Sequence, residues 1–162
     1  MRALNLLLLA LTLSAASRCK AQTACPWINK ATVAGLFEAK DAPPSRATVV
    51  ESTPCVFTYH SENAERTLRV IVAAEKDGPT EMTPFEAVCK SPETALQAIG
   101  NEASLCDFDR PGEIGEQVMG RVRDQHFLIS LSTNTIKGSA AQRAQLRDAA
   151  TMVAELVAGN MF

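Results

Sequence analysis

The chain is poor in the residues on which most enzyme chemistry starts. Two histidines, one tryptophan and one tyrosine are spread over 162 residues, so general acid–base catalysis has few side chains to draw on. There is no G-x-S-x-G elbow, H-E-x-x-H pair or Walker loop, and Lys137, Gly138 and Ser139 lack the upstream glycines that cradle a phosphate. Gly112, Gly115 and Gly120 do not have dinucleotide-binding spacing. No two cysteines stand at zinc or C-x-x-C spacing, which removes a structural zinc site and a dithiol redox motif. No cofactor is therefore expected. Basic charge is also short: 16 Lys and Arg oppose 18 Asp and Glu, with no basic stripe. That excludes nucleic acid as a partner and disfavours anionic membranes.

Long hydrophobic runs are missing except at the start. Arg2 precedes a nearly unbroken apolar stretch from Leu4 to Ala16, too short to span a bilayer before Arg18 and Lys20. This is the pattern of a cleaved secretory signal over residues 1–21, with Cys19 and Ala21 as the small residues before the cut. Arg18 before Cys19 does not suit a lipoprotein signal. The expected mature chain, 22–162, is a single exported domain in the periplasm or outside the cell, with no stable membrane anchor. It loses Arg2, Arg18 and Lys20 with the leader and carries a net charge of about −5.

Four cysteines remain in an oxidising compartment, where two disulfides are the expected use. Of the three possible connectivities, Cys25 with Cys55 and Cys89 with Cys106 is favoured, because each pair joins neighbouring units in chain order.

Apolar spacing from Ile28 to Phe37 predicts a short helix after Trp27, a residue expected in the core. Asp41 to Pro54 holds three prolines among small polar residues and is read chiefly as a loop. Cys55 to Tyr59 and Thr67 to Ala74 have strand composition, with His60 to Arg66 as their hairpin connection. Thr83-Pro84-Phe85-Glu86 has the form of a helix start, repeated at Ser91-Pro92, so two short helices or one kinked one are expected before Gly100. Ala103 to Phe108, Glu116 to Arg123 and His126 to Thr133 read as strands, the last two as a hairpin with Phe127, Ile129 and Leu131 buried. Ser139 and Gln142 open a final helix whose core face is Leu146, Ala149, Ala150, Val153, Leu156 and Val157. The expected fold is α+β, an antiparallel sheet of about five strands with helices packed on it, in the order α-β-β-α-β-β-β-α.

Asp107, Asp109, Glu113 and Glu116 form an acidic cluster around Gly112. As a calcium loop it is defective, since Pro111 and Val118 stand where ligands belong, and a solvated loop is the expectation. His60 is expected in a hairpin loop. His126 is weighed as a base at a pocket mouth against plain sheet packing, and packing is favoured for lack of a local partner.

Cys25-Pro26-Trp27, Ala98-Ile99-Gly100-Asn101-Glu102-Ala103 and Gly120-Arg121-Val122-Arg123-Asp124 before Phe127-Leu128-Ile129 together resemble uncharacterised bacterial secreted proteins and lipoproteins. That group is similar in outline to extracellular sensor domains of bacterial serine/threonine kinases and to PsbP-like α/β sandwiches. Ala98 stands where the group has the first glycine of its turn. The resemblance implies an exported α+β domain and brings no catalytic residue. The physical reading of Gly100-Asn101-Glu102 is a helix cap and turn; if it is a site, Glu102, Arg121 and Arg123 are the polar residues expected to cluster there. The functional expectation is a non-enzymatic module binding a small ligand or an envelope protein. Its alternatives are an envelope structural or assembly factor, and a small secreted hydrolase using His126, a carboxylate and a serine.

Overall fold

A computed structural model describes residues 24–38, 48–52, 55–61, 65–134 and 138–162. The leader, with Arg2, Cys19 and Ala21, lies outside the described residues, as do most of the proline-rich connection and the tip of the hairpin after His60. The order is α1 (Lys30–Glu38), β1 (Thr48–Ser52), β2 (Val56–His60), β3 (Glu65–Ala74), α2 (Gly78–Met82), β4 (Thr94–Leu96), β5 (Glu102–Arg110), β6 (Glu113–Val122), β7 (Gln125–Thr133) and α3 (Ala140–Asn160). All the strands join one antiparallel sheet, ordered β1-β2-β3-β7-β6-β5-β4. The α+β class and the pairings Cys25–Cys55 and Cys89–Cys106 are as expected. Among the described residues the sheet has seven strands, where about five were expected.

Period-2 alternation along β3, β6 and β7 gives the sheet two faces. On the first, Leu68, Val70, Val118, Ile129 and Leu131 meet Leu146, Ala150, Val153 and Val157 of α3, while Val33 and Phe37 of α1 join Phe57 and Tyr59. Trp27 packs at the margin of this core. Ser139 caps α3 as its sequence predicts: its side chain accepts from the Gln142 N–H, and the Gln142 side chain accepts from the Ser139 N–H at 2.8 Å. Leu156 departs from the expected core face and is 39% exposed, because the buried stripe passes through Ala154, Val157 and Ala158 instead.

Two further corrections involve edge strands. Thr48–Ser52, inside the segment read as a loop, pairs with β2; its β-branched residues fit a strand bracketed by prolines. Glu51 Oε1 there accepts the Cys25 N–H at 2.7 Å, beside the first disulfide.

The second correction is the helix expected at Thr83. The one-turn α2 ends there, with the Phe85 and Glu86 amides both bonded to the Met82 carbonyl. The amides that would continue a helix are spent on the sheet: Ala87 N–H reaches Gln117 Oε1 at 2.7 Å and Lys90 N–H reaches the Asp107 carbonyl at 2.8 Å. Thr94–Leu96, expected as helix, is the short outer strand against Ala103–Leu105. Gly100 caps no helix. It has φ 62° and lies so close to the Arg121 carbonyl that a Cβ would collide with it.

Candidate functional site

Among the described residues, the second face of the sheet carries no long helix. Its side chains lie in rows across the strands: Glu102, Arg121, His126 and Ala73 form one row, and Ser104, Met119, Leu128 and Ile71 the next. Over them runs the segment from Gly78 to Cys89, held at three places. Gly78 packs directly on His126, and a Cβ there would fall 2.9 Å from the imidazole Cδ2, so only glycine allows this approach. Ala87 is bonded to the buried Gln117, and Cys89 is bridged to Cys106. Arg69 stacks on the ring of Phe85 at 4.7 Å, adding a cation–π contact along the same stretch.

Between this roof and strands β5 to β7 lies a cleft of about 540 Å³. Met82, Thr83 and Glu86 face it from the roof, and Glu102, Ser104, Met119 and His126 from the sheet, with Ala103, Gly120 and Phe127 completing the floor. Met82, Ala73 and Leu128 form a small apolar cluster at its base, against which Met119 packs. The volume falls within the range of small-molecule sites.

The residues expected to cluster do so in part. Glu102 lies directly opposite Arg121, whose Nε donates to Glu102 Oε1 at 2.9 Å. This hydrogen bond, together with the carboxylate charge, raises the Arg121 pKa further above its ordinary value. Arg121 Nη1 also donates to the Arg123 carbonyl at 3.2 Å. The Arg123 side chain departs: its backbone takes φ 54° with its N–H bonded to Asn101 Oδ1, and its guanidinium sits on the Phe162 ring at 5.3 Å. Glu102 thus lines the cleft, Arg121 stands beside it, and Arg123 is turned to the chain terminus.

His126 lies at the cleft, beneath Gly78, so the pocket-mouth placement weighed against packing is realised together with it. Ser104, Glu86 and Glu102 line the same cleft as His126. Ser104 is two strands and one row from His126, about 12 Å between Cα positions at normal strand spacing, and its hydroxyl donates to Glu93 Oε2 at 2.7 Å. Met82, Thr83 and Glu86 are hidden as site residues by the helix expected to begin at Thr83, which conceals the turn that brings them over the sheet, and Met119 of β6 gains its role only from that roof. His60 is the last residue of β2, with Nδ1 3.0 Å from Glu65 Oε2.

The acidic cluster is not a solvated loop. Asp107 and Asp109 stand on β5, Glu113 and Glu116 on β6, joined by a tight turn at Pro111-Gly112 with Gly112 at φ 79°. Arg143 of α3 reaches Asp107 and Asp109 at 3.5 and 2.7 Å, Lys90 Nζ meets Asp109 at 2.6 Å, and the Ser91 hydroxyl donates to Asp107. The hydrogen bonds from Lys90 and Arg143 hold the Asp109 carboxyl below its ordinary pKa. Glu116 is fully buried under α3, with Arg147 Nε 3.5 Å away and no hydrogen bond to either oxygen. Burial raises its pKa, with Arg147 opposing. The cluster is an ion-pair network fastening α3 to the sheet. Among the described residues, no group of three His, Cys, Asp or Glu side chains could hold a metal, nor is any helix long and apolar enough to cross a membrane.

No family model matches the chain, and no curated protein matches it. Among solved structures it is similar to a crystal structure of LpqN, described as involved in cell envelope biogenesis of Mycobacterium tuberculosis. Identity is 16%, over 71% of this chain and 79% of that one, with a TM-score of 0.34.

Proposed function

We propose that the protein is an exported, non-catalytic module of the bacterial envelope that binds a small ligand between the Gly78–Cys89 roof and strands β5 to β7. The observation that carries this reading is the cleft of about 540 Å³, mixed in lining and kept open by a roof fixed at both ends. A few polar groups over an apolar base is the usual composition of a small-molecule site. The signal-like leader and two bridges support export into an oxidising compartment. The separation of Ser104 from His126 favours binding over hydrolysis.

Native mass spectrometry of the protein released from the producing cell's envelope tests this, beside a Ser104→Phe variant that fills the cleft. A stoichiometric small-molecule adduct on the wild type, lost in a folded variant, is expected. Val88, 91% exposed on the same roof, favours a second reading, contact with a partner protein. A co-purifying protein with no small-molecule adduct would replace the first reading with that one.

A further inference from the structure

We infer that the cleft selects a cationic ligand, a primary ammonium or guanidinium on a compact apolar body; the inference rests on the binding role proposed above. Both charged side chains lining the cleft are carboxylates, Glu86 from the roof and Glu102 from the floor, and no Lys or Arg lines it. Arg121, the guanidinium beside it, is engaged by Glu102 Oε1 and by the Arg123 carbonyl. Oε1 of Glu102 is thereby turned to Arg121.

The surroundings add to the sign. Glu75, Asp77 and Glu81 lie on or beside the roof, against two positive charges, Lys76 at 3.9 Å from Asp77 and Arg69 stacked on Phe85. A negative field over a partly desolvated cleft attracts cations from a distance and penalises the entry of an anion. The base explains the apolar body: Met82 and Met119 present polarisable thioethers that adapt to an alkyl chain, next to Leu128 and Ala73. The Ser104 hydroxyl, whose proton goes to Glu93, and the His126 imidazole are placed on the cleft walls, where ammonium protons can find further acceptors.

The test uses three matched probes, hexylammonium, hexanol and hexanoate, titrated into the disulfide-bonded protein while the methionine methyl and backbone amide NMR signals are followed. Hexylammonium should shift the Met82 and Met119 methyl signals saturably and bind about threefold to fivefold more tightly than hexanol, the size of one screened charge pair. Glu86→Gln should weaken it by a similar factor at unchanged melting temperature. Glu102→Gln, which frees Arg121, should move the preference towards hexanoate. If hexanol or hexanoate binds the wild-type cleft as tightly as hexylammonium, the cationic specificity is overturned while the cleft stands as a binding site. If none of the three moves a methionine methyl signal, both the specificity and the binding role of the cleft fail.

Discussion

At the scale of single residues, backbone strain and buried charge lead to two expectations. Ala98 takes φ 63° in the turn before β5, a conformation that costs a non-glycine residue about 1 kcal/mol or more. Ala98→Gly should raise stability by about 0.5–1 kcal/mol, part of the relief being offset by the entropy glycine adds to the unfolded chain. Urea denaturation measures this, and a lower midpoint in the variant would show that the turn is not strained. Glu116 is the second case. Its folded pKa lies above the unfolded value because of burial, so the folded protein binds the extra proton between the two values and stability falls as pH rises through that window. Glu116→Gln should therefore stabilise the protein at neutral pH, by on the order of 1 kcal/mol, and the gain should shrink as pH falls to the ordinary glutamate range. Asp109, with its lowered pKa, acts in the opposite sense and at lower pH, losing its contribution as pH falls through the folded value. A gain from Glu116→Gln that is independent of pH would contradict the buried-charge account.

Elements were legible where local signals and tertiary use coincide. The β6–β7 hairpin reads directly from its alternation, since Phe127, Ile129 and Leu131 are all buried on one face. The start of α3 reads from Ser139 and Gln142, which make both bonds of the capping box. Ser139→Ala should cost about 1 kcal/mol in thermal or urea unfolding, and a change near zero would show that packing alone sets that helix start. The Thr83–Glu86 segment has the same kind of signal without the outcome. Nothing local reveals that Gln117 captures the Ala87 amide, and the expected Cys89–Cys106 bridge does not by itself show the backbone path it imposes; these distant partners decide that path. The cleft went unread with it. Glu102 and Arg121 were found because they meet across adjacent strands at a recognisable turn, whereas Glu86 and Met82 arrive from an element whose path is set by tertiary contacts. Edge strands β1 and β4 were missed because neither makes a long alternating pattern, and each is a strand by virtue of the neighbour it pairs with.

For the whole molecule, the two disulfides have different duties. Cys25–Cys55 ties the segment before α1 to the start of β2 across 30 residues, and Cys89–Cys106 closes 17 residues and fastens the roof of the cleft. Loops of these lengths correspond to about 3–4 kcal/mol of stabilisation each in the chain-entropy description. Dithiothreitol should therefore lower the melting temperature by roughly 10 °C or more, and an unchanged transition would contradict structural bridges at these positions. Replacing Cys89 and Cys106 together by serine should also loosen the roof and weaken hexylammonium binding, whereas the Cys25 and Cys55 pair should affect stability with little effect on the cleft. The most direct test of the central claim is a crystal structure of the protein purified without denaturation from the cells that produce it. The account predicts ligand density between Glu86 and the Met119–His126 side of the sheet. Ligand density elsewhere, with this cleft filled only by water, would contradict it.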